Sequence, residues 1–159
     1  MAQSSSSARR VRVALEAAGL GDRIRELDAS TRTAEQAAAA LGCEVAQIVK
    51  SLVFKRSHGD RPVLAIASGA NRVDEHKLER AAGEAIGKAD AAFVREHTGF
   101  AIGGVAPFAH PAPIDTYVDQ DLLALPRLWA AAGTPNAVFY LTPEELLRVT
   151  GATVVELRA

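Results

Sequence analysis

Two strand-like runs separated by a single turn constrain this chain more than any other stretch. Ser51-Leu52-Val53-Phe54-Lys55 and Pro62-Val63-Leu64-Ala65-Ile66-Ala67 read as strands, and Ser57-His58-Gly59-Asp60 supplies the turn between them. The expectation is an antiparallel pair at the centre of a sheet-containing domain. A helix precedes it: Thr33 followed by Gln36 fits a capping box ahead of Ala37-Ala38-Ala39-Ala40-Leu41, and Gly42 closes that helix. Residues 44–49 add a further turn or two of helix.

The flanking sequence alternates helix and strand signals without the regular βαβ rhythm of a doubly wound sheet. Residues 8–18 carry Val11, Leu15 and Ala18 on one helical stripe, with Gly19 as a stop. The Ser-rich residues 1–7 read as a disordered lead, which places the domain at 8–159. Ile24 and Leu27 mark a short edge strand. Asp74 caps a helix that ends at Gly83, and residues 89–97 read as another helix with Phe93 facing inward. Strands are expected at 114–118, 128–132, 137–141 and 153–157, with acidic loop or helix at 119–125. Pro143 stands at the first turn of a helix capped by Thr142 and ended by Gly151. The fold class expected is α+β, a single compact domain with a mixed, mostly antiparallel sheet flanked by helices.

Composition narrows the function classes. At 159 residues with 48% hydrophobic and 23% charged residues, the chain is long enough to bury a core. One cysteine, Cys43, excludes an internal disulfide framework and fits a reducing compartment. No apolar run approaches membrane-spanning length and no apolar core follows the first ten residues, so neither anchor nor secretory signal is expected, and the location inferred is cytoplasmic. Net charge is −1, yet residues 1–80 hold 13 basic against 10 acidic side chains while residues 81–159 hold 5 against 9. One half can therefore face a phosphate backbone, or the asymmetry is simply a solvated surface.

Few residues offer chemistry. The two-residue period of a strand puts Lys50 on the face of Leu52 and Phe54, where its ammonium either reaches past the core edge to water or sits in a pocket as a donor to phosphate, carboxyl or carbonyl oxygen. Gly103-Gly104-Val105-Ala106-Pro107 has a flexible start and a stiff end; it is either a tight turn or a loop that presents backbone N–H groups to a carbonyl oxygen. Gly133-Thr134-Pro135-Asn136 is a turn that also offers a hydroxyl and an amide. His58, His76, His97 and His110 show no metal-ligand spacing, and no GxSxG elbow, Walker loop or GxGxxG is present. Cys43 is a small, partly buried side chain or, less in keeping with its setting, a nucleophile.

In their order and spacing, Thr31-Arg32-Thr33-Ala34-Glu35-Gln36-Ala37-Ala38, Ile48-Val49-Lys50-Ser51-Leu52-Val53-Phe54, Gly103-Gly104-Val105-Ala106-Pro107 and Ala132-Gly133-Thr134-Pro135-Asn136 resemble the YbaK/EbsC family. Its members are free-standing relatives of the editing domain inserted in bacterial prolyl-tRNA synthetase, and the resemblance runs from about residue 10 to the C-terminus. It implies a curved mixed sheet and metal-independent, cofactor-free hydrolysis of the ester bond of a mischarged aminoacyl-tRNA, with tRNA-Pro carrying a small amino acid as the expected substrate. The family's lysine falls on Lys50 and its G-x-x-x-P loop on Gly103 to Pro107.

Lys50, Gly103 and Gly104 are then the expected catalytic residues, the two glycine N–H groups holding the ester carbonyl while Lys50 contacts the terminal adenosine or its phosphate. Thr33, Ser51, Val105, Ala106 and Pro107 are expected to bind substrate, as are Gly133, Thr134 and Asn136. The late histidine of some synthetase-embedded members has no counterpart, since no histidine follows His110; the group that holds the substrate α-amine is unassigned. The expected partner is the acceptor end of an aminoacyl-tRNA, delivered with help from a synthetase or elongation factor, and no membrane. A different class of function, a module that binds aminoacyl-tRNA or a partner without turnover, would use the same pocket, and a third reading is hydrolysis of another small acyl ester or amide.

Overall fold

A computed structural model describes residues 2–159, with side chains from residue 6 onward. Its organising strand is β3 (Pro62–Ser68), which runs antiparallel to β2 (Val49–Arg56) in the register Val49 opposite Ser68 to Lys55 opposite Pro62. This is the hairpin expected from the sequence. On its other edge β3 pairs in parallel with β5 (Asp115–Asp119), which in turn pairs in parallel with β8 (Thr153–Val155). The short β4 (Ile86–Lys88), which lacks a strand signature in the sequence, pairs antiparallel with the end of β2 and completes a five-stranded sheet of order β4-β2-β3-β5-β8. Val63 to Ala67 are all at most 1% exposed, because β3 is central and covered on both faces. That explains its unbroken apolar run.

A second sheet holds β1 (Ile24–Glu26), β7 (Ala137–Leu141) and β6 (Leu128–Ala131) in the order β1-β7-β6, all antiparallel. A single parallel bridge between Ile48 and Trp129 joins its edge to the start of β2. The fold is thus mixed α/β, with more antiparallel than parallel pairings, as expected, but its strands are divided between two sheets. The larger core lies between them: Leu64 and Ile66 from β3 and Val118 from β5 meet Phe139, Leu141 and Leu128, with Val11 and Leu15 of α1 (Ala2–Ala17) closing the layer. The smaller core, on the opposite face of the larger sheet, joins Phe54, Val63 and Ala65 to Leu78 of α3 (Glu75–Ala82) and to Leu157.

Local signals account for the helix ends. Thr33 and Gln36 form the reciprocal capping box of α2 (Ala34–Leu41), and Gly42 ends it in the left-handed conformation, with φ of 70°. Asp74 accepts the N–H groups of His76 and Lys77 at the start of α3, Asp90 caps α4 (Ala91–Thr98), and Thr142 caps α5 (Pro143–Thr150). Residues 45–47 and 120–124 are single 3-10 turns. The first helix reaches back into the Ser-rich stretch read as a lead; Met1 and the side chains of residues 2–5 lie outside those described.

One inward residue is corrected. In α4 Val94 and Thr98 are the buried residues, 3% and 0% exposed, whereas Phe93 is half-buried. Phe93 stacks on His97 one turn later, with ring centroids 4.3 Å apart, and the Lys55 ammonium lies 5.5 Å from its ring. The aromatic ring finds partners at the surface that a helical-stripe argument does not anticipate.

Two helix-to-strand ties carry charge. Arg56, 5% exposed, donates to Ala82 O, Glu84 and Asp115, fastening β2 to the α3–β4 turn and to β5. Arg23 forms a fork with Glu145, at 2.6 and 3.1 Å, and Glu145 also accepts the Thr142 N–H. The bond from Arg23 is the main reason the Glu145 carboxyl is pulled down to about 2. Because the folded-state value lies below the ordinary carboxyl value, this tie stabilises fully above pH about 4.5 and is lost as the pH falls toward 2. Urea unfolding should show Glu145→Gln destabilised by about 1–3 kcal/mol at pH 7. The gap between wild type and variant should narrow by pH 3; a gap independent of pH would show that the tie does not depend on the carboxylate charge.

Candidate functional site

The site follows from a mismatch in strand length. On the edge of β2 away from β3, β4 reaches only Phe54 to Arg56, so residues 50–53 lack a strand partner there. A cleft of about 820 Å³ opens along this edge. The N-terminal half of α2 and the loop before it form one wall, Trp129, Ala131 and Val138 of the small sheet a second, and Ile102, Gly103 and Val105 a third. Ile102 stands at the rim with 57% of its surface exposed.

Lys50 lies on this open edge. Its ammonium donates to Asn71 O at 2.5 Å, in the turn after β3, and Asn71 is held in turn by its side-chain amide on Asp121. Partial burial and the nearby Arg72 guanidinium push the Lys50 ammonium below the ordinary lysine range, while Glu35 at the start of α2 opposes the shift. A cation that is already partly desolvated gains more from an incoming anion than one in bulk water. Next to it, Ser51 lines the cleft, and its hydroxyl oxygen is buried with no hydrogen-bond partner among the described residues. An unsatisfied hydroxyl at a cleft wall is a polar group poised for a ligand.

The glycine pair divides into two roles. Gly103, with φ of 90°, lines the cleft, and neither its N–H nor that of Val105 has a protein acceptor among the described residues. The Gly104 N–H donates to Ala101 O at 2.9 Å and closes the turn, so it does not face the cleft as expected. Gly104 is buried because the loop packs on the second candidate loop: a β-carbon there would lie 3.0 Å from the Thr134 carbonyl carbon and 3.1 Å from the Pro135 nitrogen.

Gly133, at φ of 99°, is pressed against the Ser7 carbonyl and Val11 of α1. Gly133, Thr134, Ala106 and Pro107 therefore lie behind the cleft wall and position it. Thr33, Lys50, Ser51, Gly103, Val105 and Asn136 are the expected residues that line the cleft. Two of these already serve the scaffold: Thr33 caps α2, and the Asn136 amide donates to Asp28 O and Thr31 O, which pins the loop before α2.

Sequence reasoning missed the clamp that holds the glycine loop from behind. Arg10 of α1 donates to Ala109 O at 3.0 Å and Thr98 O at 2.9 Å, and its guanidinium stacks 4.3 Å above the Phe100 ring. His110 Nε2–H donates to Ala106 O at 2.9 Å, inside the loop itself. Burial lowers the His110 pKa and so favours the neutral ring, with the Arg10 charge acting the same way and the bond to Ala106 opposing it. Ala109 has φ of 70°, an unfavourable conformation for a residue with a β-carbon, and these bonds hold it there. Trp129 and Ile102 were missed for the same reason: each reaches the cleft only through contacts distant in sequence.

Comparison with known proteins shows the family and the fold. A family model, "Aminoacyl-tRNA editing domain", matches residues 28–149, which span α2, β2, the glycine loop and both strands of the second loop. The "Uncharacterized protein YwhH" of Bacillus subtilis (strain 168) is 35% identical over 123 residues, covering 77% of this chain and 78% of that one. A solved structure described as "a putative trans-editing enzyme for prolyl tRNA synthetase" is 52% identical and superposes with a TM-score of 0.90, covering 96% of this chain and 97% of that one. Another, "hypothetical protein APE2540", is 32% identical with a TM-score of 0.86, covering 94% and 99%. With the match spanning the cleft and both loops, this chain belongs to the aminoacyl-tRNA editing domain family.

Proposed function

We propose that the protein is a trans-editing deacylase that hydrolyses the ester bond of a mischarged aminoacyl-tRNA, with tRNA-Pro carrying a small amino acid as substrate. The observation that carries this reading is the convergence of Lys50, Ser51 and the free Gly103 and Val105 N–H groups on one cleft at the open edge of β2. An aminoacyl ester is activated enough that water can cleave it when attack is oriented and the developing oxyanion is stabilised. The Gly103 N–H, joined by that of Val105, donates to the ester carbonyl oxygen, while Lys50 meets the terminal adenosine or its phosphate. A ribose hydroxyl of the substrate and the loop backbone order the attacking water. Water adds to the carbonyl carbon, the bond to the ribose oxygen breaks, and that oxygen takes up a proton, leaving free amino acid and uncharged tRNA.

Ser51 supplies a polar point on the wall that meets the amino-acid moiety. Val105 and the small-sheet side chains bound the volume that a side chain can occupy. Pocket volume discriminates by only about 1–3 kcal/mol per methylene, so rejection of the correct amino acid rests on shape and on unpaired polar groups together. The location that fits such a substrate is the cytoplasm, and a synthetase or elongation factor delivers it.

Incubation of the protein with a panel of mischarged tRNAs tests this directly. Catalytic release of free amino acid, fastest from tRNA-Pro bearing a small residue, is the expected result. Stoichiometric protection of the ester without release would replace the deacylase by a binding module. Equal activity on small acyl esters lacking the tRNA body would replace it by a general esterase.

A further inference from the structure

The face of the three-stranded sheet that points away from the main core carries Trp129 and Val138, which wall the cleft, and beside them Arg25, Arg127 and Tyr140, which the cleft does not use. Trp129 stands opposite Tyr140 across β6 and β7, and Arg25 stands opposite Val138 across β1 and β7. Three guanidinium groups surround the Tyr140 ring: Arg127 at 4.3 Å from its centroid, Arg23 at 5.0 Å and Arg25 at 5.6 Å. The Trp129 ring meets the same tyrosine edge-on at 5.3 Å.

Their charges are not equally committed. Arg23 is tied to Glu145. Arg25 donates only to the backbone carbonyls of Asp22 and Ile24, and neither Arg25 nor Arg127 has a carboxylate within ion-pair distance among the described residues. The acidic side chains near this group include Asp22 and Glu145 beside Arg23, Glu26 in the depression itself, and Glu44, which is tied to Gln47, whose amide donates to Arg127 O. Glu145 is already paired, and Glu26 lines the same depression as the two free arginines.

Arg25, Arg127 and Tyr140 edge a second depression of about 400 Å³, whose far side is Ala40 and Leu41 at the end of α2. Leu27 and Trp129 belong to the walls of both this depression and the cleft. The two sites are therefore neighbours, the start of α2 bordering one and its end the other. A guanidinium stacked on an aromatic face keeps its in-plane N–H donors free, the arrangement suited to bidentate contact with a phosphate. The ring restrains the long side chain beforehand, so less freedom is lost on contact.

Resting on the deacylase reading of the cleft, we propose that Arg25 and Arg127, braced on Tyr140, bind the RNA backbone of the substrate next to the acceptor end whose ester lies in the cleft. The two guanidinium groups hold successive phosphates of the strand as it leaves the cleft past Leu27 and Trp129. The surface thus contributes affinity and register, while the chemistry stays with Lys50 and the glycine loop.

The test compares wild-type full-length protein with Arg25→Ala/Arg127→Ala on two substrates, a mischarged tRNA and the same amino acid esterified to adenosine, which carries no phosphate. The variant is expected to raise KM for the tRNA about tenfold or more, with kcat retained, and to leave the adenosine-ester reaction unchanged. The dependence of log kcat/KM on log salt for the tRNA should become shallower by between one and two, about one per phosphate contact. An unchanged KM and salt slope would overturn the proposal. Equal losses on both substrates would also overturn it, since the patch would then act through the cleft.

If wild type hydrolyses neither substrate, it is the deacylase reading that fails. Binding of uncharged tRNA by fluorescence anisotropy then decides the patch separately, because the double variant must bind more weakly than wild type and with a shallower salt slope. Arg127→Gln alone, at an exposed position just before β6, repeats the measurement should the double variant fold poorly.

Discussion

Replacing Lys50 with alanine is expected to slow deacylation of mischarged tRNA about 100-fold or more, the usual cost of removing one electrostatic donor from a pre-organised site. Among the described residues the ammonium donates only to the Asn71 carbonyl, which leaves two of its three N–H donors without a protein acceptor. Loss of that bond costs the fold about 1 kcal/mol, the net worth of one hydrogen bond. A drop in rate far beyond any change in melting temperature would therefore assign the effect to the site.

The same residue predicts a pH dependence. Burial and Arg72 lower the lysine pKa, so the charge is lost at lower pH than in an ordinary lysine as the solution is made alkaline. Activity should fall on an alkaline limb set below the normal lysine range, and Lys50→Arg, always charged, should move that limb upward at reduced rate. A Lys50→Ala protein as active as wild type would remove Lys50 from the mechanism.

Gly104→Val is expected to produce the second large effect, by a different route. A β-carbon at this position meets backbone atoms of Thr134 and Pro135 at 3.0 to 3.1 Å, and no side-chain rotation can relieve that contact. The glycine loop and the loop of Gly133 to Asn136 must separate, at a cost of about 1–3 kcal/mol in stability. Misplacing the Gly103 N–H by about 1 Å is enough to lower the rate about 100-fold.

Gly103→Ala is the informative contrast. Nothing lies within 4 Å of its β-carbon, so only the strain of a positive φ opposes it, roughly 1–2 kcal/mol. Urea unfolding and single-turnover deacylation of the two variants separate clash from strain. Full activity in Gly104→Val would show that the spacing of the two loops does not set the rate.

How much of this was legible in the sequence depended on the range of each interaction. The capping box of Thr33 and Gln36, the Asp74 and Thr142 caps and the β2–β3 hairpin all involve residues a few positions apart, and they appear in the structure where they were expected. β4 was not legible, since its three residues acquire strand geometry only by pairing with Phe54 to Arg56. Phe93 was misjudged because its partners, His97 and Lys55, meet it on the surface rather than in the core. The Arg10 clamp joins residues 88 and 99 positions apart and has no local signature.

By itself the sequence determined the caps of α2, α3 and α5, the central hairpin, the mixed α/β class and the order of motifs that marks the family. Those features rest on local sterics and on hydrogen bonds between residues close in sequence. Tertiary structure alone decided that β4 stops short and leaves the edge of β2 open at Lys50 and Ser51. It also decided that Gly104 uses its N–H to close a turn, while the N–H of Gly103, on the cleft wall, has no protein acceptor among the described residues. The two glycines are alike in sequence and differ only in what the folded chain places beside them.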